Sequence, residues 1–176
     1  MKKPRLATMW LDGCSGCHMS LLDVDEGIIM IAAKADLVYS PLVDAREYPH
    51  DVDIAIVEGA VSTEEEFDKI RLVRERTRIL VALGDCATTA NISGMRNSIP
   101  VKTLMERIYI EGSDVEKGVP TWGVPTLLKH AIPLHDVVKI DLHVPGCPPS
   151  APNILFVITE LLEGRIPDLR NKVRFG

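Results

Sequence analysis

Four cysteines are the residues of this 176-residue sequence with the most distinctive chemistry. Cys14 and Cys17 form a C-x-x-C pair within the stretch CSGCH, while Cys86 and Cys147 stand alone. C-x-x-C-H is the pattern of c-type haem attachment, and C-x-x-C pairs also occur in redox dithiols, zinc sites and iron–sulfur sites. The positions of Cys86 and Cys147 in the sequence help to distinguish among these four possibilities.

The cysteines follow predicted strands in a regular way. Cys14, Cys86 and Cys147 each come three residues after the end of an apolar run, behind a turn that contains glycine. Because the carboxyl ends of parallel strands meet at one edge of a sheet, we expect these three residues and Cys17 to converge there. The convergence would use every cysteine in the sequence.

Four thiolates can hold either zinc or an iron–sulfur cluster. Structural zinc usually takes two C-x-x-C knuckles, whereas this sequence has one pair and two single cysteines on separate strands, which favours a [4Fe–4S] cluster with zinc as the alternative. A redox dithiol would account for Cys14 and Cys17 but would leave Cys86 and Cys147 unexplained. Buried cysteines that act as small apolar residues would not account for the glycine-bearing turns.

The elements that position the cysteines are five short apolar runs separated by helical patterns. This alternation predicts an α/β fold with a largely parallel sheet. The predicted strands are RLATMWL (5–11), DLVYSPL (36–42), DIAIVE (53–58), RILVAL (78–83) and VVKIDLHV (137–144).

Two of the predicted helices flank the cysteines. The first begins near His18 and is expected to carry Met19, Leu22 and Ile29 on its apolar side. The last runs from about 151 to 163, begins after a serine cap and ends before a glycine. Both helices would pack against the sheet.

A further helix and a long insertion follow the third and fourth strands. The stretch STEEEFDKIRLVRER is predicted to be a surface helix capped by Ser62 and Glu65. Residues 88–136 interrupt the alternation and contain predicted short helices at 101–110 and 125–131. Because long structureless loops are uncommon in compact domains, we expect this insertion to bind a partner or cover a site.

The composition excludes several classes of function. Hydrophobic residues make up 46% of the chain and charged residues 26%, as in a globular protein. A formal charge of −5 with dispersed Lys and Arg argues against nucleic-acid binding. No apolar run approaches the ~20 residues of a membrane span, and no secretory leader is evident, so a cytoplasmic location is expected. That location argues against stable disulfides and against haem attachment at CSGCH.

Four motifs together resemble a known family. CSGC, VEGA at 57–60, GDCA at 84–87 and PGCPPS at 145–150 resemble the small subunit of [NiFe] hydrogenases and the related cluster-bearing subunit of respiratory complex I. The complex I subunit has adjacent cysteines where this chain has C-x-x-C, which looks like hydrogenase. The lack of cysteines after Cys147 resembles the shortened, single-cluster small subunits of cytoplasmic, bidirectional, NAD-reducing hydrogenases.

The resemblance implies a fold, a cofactor and partners. The fold would be flavodoxin-like, a doubly wound, mostly parallel five-stranded sheet in a single domain over 1–176, with the insertion at 88–136. Cys14, Cys17, Cys86 and Cys147 would ligate one proximal [4Fe–4S] cluster. The Ni–Fe centre would lie in a large subunit, so this chain would hold no catalytic residue. Electrons would pass to diaphorase subunits that carry further clusters, FMN and the NAD(P) site.

Three further hypotheses accompany this interpretation. Glu58, in VEGA, could belong to a proton route or hydrogen-bond backbone amides at the sheet edge. A second FMN could bind the flavodoxin-like fold, although Ser15 and Gly16 are the only phosphate-loop candidates and lie between two cysteines. Trp122, among the prolines of the insertion, is a candidate for the subunit surface. The alternative functions are a complex I-type quinone-linked subunit and a zinc-binding module without redox activity.

Overall fold

Seven strands occur in residues 2–114 and 117–175, the part of the chain that the computed structural model describes. In chain order they are Arg5–Trp10 (β1), Asp36–Tyr39 (β2), Val52–Glu58 (β3), Val61–Thr63 (β4), Thr77–Leu83 (β5), Leu127–Ile132 (β6) and Leu142–Val144 (β7). Five of them form a sheet in the order β2-β1-β3-β5-β7, in which all neighbours are parallel. β4 and β6 form a separate antiparallel pair.

The α-helices of the described residues connect these strands. They are Gly16–Leu22 (α1), Gly27–Lys34 (α2), Glu64–Glu75 (α3), Gly84–Thr89 (α4), Asn91–Gly94 (α5), Val101–Glu106 (α6) and Ala151–Leu162 (α7). A π-helical turn, Arg107–Glu111, continues α6, and 3₁₀ turns occupy Met95–Ser98 and Leu134–Asp136. No helix in the described ranges combines the length and apolar character needed to cross a membrane.

Helices cover both faces of the sheet. The central strands β3 and β5 are almost continuously apolar and are buried on both sides, as expected for a parallel sheet. On one face, Ile70 and Val73 of α3 pack into the core, and on the other face Ile154 and Ile158 of α7 do so. The strand order is the flavodoxin-like, doubly wound order, so the predicted fold is confirmed.

The first predicted helix is divided into two. Residues 23–26 interrupt it between α1 and α2, and the side chains of Met19, Leu22 and Ile29 are exposed, so the predicted apolar side is wrong. Gly27 is buried at the start of α2, where a Cβ would approach the Leu155 side chain of α7 to 3.2 Å. Gly27 thus lets α2 pack closely against α7.

Two predictions in and after the insertion are wrong. The sequence predicts a helix over 125–131, but β6 lies there because it pairs with β4. The predicted strand 137–144 is reduced to β7. Before β7, Asp141 contacts β5 through both its backbone and its side chain, because its N–H donates to the Leu80 carbonyl at 3.0 Å and its Oδ2 accepts the Leu80 N–H at 2.8 Å. The same Oδ2 accepts an Arg74 N–H at 2.6 Å.

Candidate functional site

The four cysteines lie at the carboxyl ends of the parallel strands. Cys14 follows β1, Cys17 lies in the first turn of α1, Cys86 lies in α4 directly after β5, and Cys147 follows β7. None of them forms a disulfide. In a doubly wound sheet this edge is the crevice in which ligands bind. The structure thus brings together the four residues that the sequence singles out.

The four thiols influence one another electrostatically. Burial raises the pKa of the Cys17 thiol well above its usual range, and the Glu58 carboxylate and the thiols of Cys86 and Cys14 raise it further. Burial also raises the pKa of Cys86, to which Cys14 and Cys147 contribute in the same direction. Negative charge on Cys17 or Cys86 is therefore disfavoured by the neighbouring thiols. Bound metal cations would remove this conflict, because they replace the thiol protons.

Hydrogen bonds join the turns that carry the cysteines. The backbone N–H of Asp85 in α4 donates to the Gly146 carbonyl at 3.0 Å, and its carboxylate accepts the Gly146 N–H at 2.7 Å. Ser20 of α1 donates its hydroxyl to the Pro149 carbonyl at 2.6 Å. Asp85 and Ser20 are both buried. The turn after β7 is thereby fixed to both α1 and α4.

Two glycines leave room for cysteine sulfurs. Gly84 has a φ of +84°, a left-handed conformation that favours glycine, and a Cβ on it would overlap with the sulfur of Cys17. A Cβ on Gly16 would lie 3.2 Å from the Sγ of Cys14. At Gly84 the backbone therefore approaches the Cys17 sulfur more closely than another residue type would permit, while at Gly16 a Cβ would make a tight contact with the Cys14 sulfur.

Glu58 and His18 form a buried polar pair beside Cys17. Glu58 at the end of β3 is 3% exposed, and His18 in α1 is 2% exposed. The Glu58 Oε2 accepts the backbone N–H of His18 at 3.0 Å, and its Oε1 lies 3.2 Å from the His18 Nδ1. The second contact lacks hydrogen-bond alignment, although both atoms are buried. The His18 ring also packs edge-on against Trp10, with ring centroids 5.5 Å apart.

Residues 91–93 direct N–H groups at two of the sulfurs. The side-chain Nδ2 of Asn91 donates to the Sγ of Cys147 at 3.4 Å. The backbone N–H groups of Ile92 and Ser93 donate to the Cys86 sulfur and partly offset the effect of burial on its pKa. Donors of this kind stabilise negative charge on sulfur.

The site offers four cysteine thiols as possible metal ligands. Among the described residues, no three His, Cys, Asp or Glu side chains are close enough together to hold a single metal ion. The four cysteines nevertheless face one edge and interact electrostatically. Thiolates around a cluster of several metal ions stand further apart than those around one zinc ion. Four thiols on one crevice, with N–H donors at two of them, are a donor set that fits an iron–sulfur cluster.

Several residues of the site were not found from the sequence. For Asp85 the sequence gives a weak indication of a role in the site, because an acidic residue next to the end of a buried strand needs a hydrogen-bond donor. For Ser20 and Asn91 the sequence gives no such indication, because their hydrogen-bond partners lie far away in the chain. Such contacts depend on how distant turns meet.

Several large apolar side chains of the insertion are exposed. Met95 is 73% exposed directly after α5, and Ile92 within α5 is also exposed. In the same insertion, Trp122 is 93% exposed, and Ile108 and Val124 are exposed as well. Contiguous exposed apolar patches are typical of surfaces that contact other proteins, which makes these side chains candidates for such a contact.

Comparison with protein families identifies one that matches most of the chain. The sequence profile of the family described as NADH ubiquinone oxidoreductase, 20 kDa subunit, matches residues 14–161. The matched range begins at the first cysteine of the site and extends beyond the last.

Individual proteins show similarity over nearly the whole chain. The HoxS subunit delta of the NAD-reducing hydrogenase of Cupriavidus necator is 35% identical over 97% of this chain and 84% of its own length. A subunit of the F420-non-reducing hydrogenase vhu of Methanocaldococcus jannaschii is 34% identical over 96% of this chain, which spans only 59% of that relative. A chain in the crystal structure of an NAD+-reducing [NiFe]-hydrogenase in the H2-reduced state superposes with a TM-score of 0.94 and 36% identity, over 99% of this chain and 100% of the other.

Proposed function

The chain belongs to the NADH ubiquinone oxidoreductase 20 kDa subunit family, and from this premise we propose that it is the electron-transfer small subunit of a [NiFe] hydrogenase. The family resemblance inferred from the four motifs is confirmed. In this proposal Cys14, Cys17, Cys86 and Cys147 hold one [4Fe–4S] cluster. When bound, the cluster supplies a one-electron carrier.

One observation carries the proposal. Cysteines from three separate segments meet at the carboxyl edge of the sheet, and buried hydrogen bonds from Asp85 and Ser20 join the segments. A structural thiol would not need partners from distant strands. The likeness to a chain of an NAD+-reducing [NiFe]-hydrogenase, at 36% identity, supports the choice of hydrogenase over other members of the family.

The residues of this chain would bind and protect the cluster. The four thiols must lose their protons on binding, because thiolates are the ligands. Gly84 and Gly16 let the backbone approach the sulfurs of Cys17 and Cys14. Glu58, whose carboxylate accepts the His18 N–H, holds the first turn of α1 and thus the position of Cys17. The participation of Glu58 in a proton route is a separate hypothesis.

The partners follow from the same proposal. Hydrogen would be cleaved at a Ni–Fe centre in a large subunit that covers the exposed apolar side chains of the insertion, including Met95 and Trp122. Electrons would leave toward diaphorase subunits with iron–sulfur clusters and FMN, and finally reach NAD(P). We place the complex in the cytoplasm, where thiol ligands persist without forming disulfides.

A second FMN in this chain remains a hypothesis with weaker support. Flavodoxin-like folds bind FMN at the switch point between the first and third strands. Here Cys14 and Cys17 follow β1, and Glu58 ends β3 at that point. The proposed cluster and a flavin would therefore compete for the same crevice.

Metal analysis tests the cluster. Anaerobically purified protein should contain about four iron and four sulfide per chain, and Cys86→Ser and Cys147→Ser should lose most of both. Ser150→Ala is the matched control, because Ser150 lies near Cys147 but its side chain makes no capping bond to α7. One zinc ion per chain without sulfide would overturn the proposal in favour of a zinc module.

Native mass spectrometry tests the type of complex. A co-purifying subunit with nickel is expected of a hydrogenase. The matched family takes its description from NADH ubiquinone oxidoreductase, so a quinone-linked complex is the second candidate. Quinone-reductase partners without nickel would establish that candidate and refute the hydrogenase.

A further inference from the structure

The segment after α4 supplies N–H donors to the proposed cluster ligands. Asn91 donates from its side chain to the sulfur of Cys147, and the backbones of Ile92 and Ser93 donate to the sulfur of Cys86. The donors thus serve ligands from two different turns. From the sequence, the insertion that contains this segment is expected only to bind a partner or cover a site.

The local backbone holds these donors in place. Ala90, between α4 and α5, has a φ of +61° in the left-handed region, which a residue with a Cβ rarely adopts. This conformation turns the chain so that α5 follows α4 directly. Ser93 also donates its hydroxyl to the Asp12 carbonyl at 2.9 Å, which ties α5 to the loop before Cys14. The donors are therefore anchored at both ends.

Such donors affect the redox potential of a cluster. Reduction adds one electron, and the additional negative charge is shared with the ligand sulfurs. An N–H group that donates to a ligand sulfur stabilises the reduced state more than the oxidised state, which raises the potential. A change of side chain leaves the backbone N–H donors of Ile92 and Ser93 in place. Of these three donors, only the side-chain amide of Asn91 can be removed by a substitution.

We propose that Asn91 is a positioning residue that raises the reduction potential of the cluster by donating its side-chain N–H to Cys147. The inference rests on the proposed function, because it requires the cluster. It assigns to the start of the insertion a role in setting the driving force for electron transfer, in addition to any contact with a partner.

Potentiometric titration of the anaerobically purified chain, followed by electron paramagnetic resonance, tests this role. Asn91→Leu removes the donor at similar size, and Asn91→Asp replaces it with a negative charge. In both variants we expect the ratio of reduced to oxidised cluster at the wild-type midpoint to fall about threefold to tenfold, which is ~30–59 mV for one electron. Asn153→Leu is the control, because its amide donates to the Lys172 carbonyl in the C-terminal segment.

The outcomes separate the inference from the proposed function. A more negative potential in both Asn91 variants, at wild-type iron and sulfide content and with an unchanged control, supports the inference. A wild-type potential in either variant with a full cluster overturns it and leaves the proposed function intact. A wild-type chain that binds no iron and sulfide overturns both.

Discussion

At the scale of single residues, Glu58 shows how a buried charge is accommodated at this site. It ends β3, where its carboxylate faces α1 and accepts the backbone N–H of His18. The first N–H groups of a helix have no partner within the helix, so a buried helix start needs an acceptor from elsewhere. Of the two roles considered from the sequence, hydrogen bonding to backbone amides is the one that this contact supports.

Glu58→Ala should destabilise the metal-free, reduced chain. The substitution leaves the backbone N–H of His18 buried without its acceptor, which costs about 1–3 kcal/mol. Urea unfolding followed by circular dichroism measures the free energy of unfolding. Glu58→Gln keeps an acceptor oxygen and should lose less. Equal stability of the Ala variant and the wild type would contradict the assigned contact.

Tyr48 provides a pH-dependent contribution to stability far from the cysteines. Its buried hydroxyl lies 2.6 Å from the Thr77 hydroxyl. Burial raises the pKa of Tyr48 from 10.0 to about 12, although the Thr77 hydrogen bond and the charge of Arg74 oppose the shift. Between these values the unfolded chain has lost the proton while the folded chain keeps it. Stability must therefore fall as pH rises from about 10 to about 12.

The comparison of wild type with Tyr48→Phe isolates this effect. The free energy of unfolding of the wild type should decrease across that pH range by on the order of 2 kcal/mol more than that of the variant. Other groups that titrate at high pH contribute equally to both proteins. Denaturant titrations at pH ~9, ~10.5 and ~12 measure the difference. Parallel pH curves would show that the Tyr48 hydroxyl is not buried in this way.

At the scale of elements, the local sequence at the start of α3 is compatible with two different N-terminal caps. The stretch STEEE contains two overlapping capping boxes, one from Ser62 to Glu65 and one from Thr63 to Glu66. The structure uses the second, in which Thr63 accepts the Glu66 N–H and Glu66 accepts the Thr63 N–H, both at 3.1 Å. Pairing of β4 with β6 keeps the chain extended through Thr63. The predicted cap was wrong because a strand distant in sequence decides it.

Substitution distinguishes the two caps. Thr63→Ala should lower the free energy of unfolding by about 1 kcal/mol, the typical value of a lost N-cap. Ser62→Ala should have a smaller effect, because the Ser62 hydroxyl only adds a contact of 3.2 Å to the Glu66 carboxylate. Thermal and urea unfolding of both variants measure the order. A larger loss for Ser62→Ala would place the start of α3 one residue earlier.

The elements that sequence predicted well are those with a strong apolar pattern. β1, β3 and β5 lie within a residue of their predicted bounds because their apolar runs are buried on both sides. α7 likewise combines a helical apolar face with proline in its first turn. β6 was mistaken for a helix, since a short run such as TLLKHAI is compatible with either period and its partner strand β4 is only three residues long.

At the scale of the whole molecule, the sheet explains why the site could be inferred before its geometry was known. Parallel strands end at one edge, so the intervals after β1, β5 and β7 sufficed to bring the cysteines together. The hydrogen bonds of Asp85, Ser20 and Asn91 depend on the meeting of loops from different segments. Contacts between distant loops cannot be predicted from a local sequence pattern. The cysteines were therefore predicted from the sequence, while the residues that support them were not.

The distribution of exposed apolar side chains predicts where the molecule needs partners. One group lies in the insertion and includes Ile92, Met95 and Trp122. Another lies on α1 and α2, where Ile29 and Met30 are exposed in a helix with little polar character. An isolated chain would leave both groups in water, whereas partner subunits on both surfaces would bury them.

Met95→Glu tests the insertion surface. A carboxylate in a desolvated interface without a partner should weaken association with the proposed large subunit by roughly 2 kcal/mol or more, which is about thirtyfold or more. Met95 is largely exposed in the single chain, so the free energy of unfolding should change by less than about 0.5 kcal/mol. Affinity purification of the tagged chain, with quantification of the co-purified subunit, measures association, and iron content measures the cluster.

Ile166→Glu is the matched control for this substitution, because Ile166 is 81% exposed in the segment after α7, outside the insertion. The control should retain the wild-type amount of the large subunit, while Met95→Glu should lose most of it at unchanged iron content. Equal loss in both variants would mean that added charge disturbs the complex generally. Full retention by Met95→Glu would show that Met95 lies outside the interface with the large subunit.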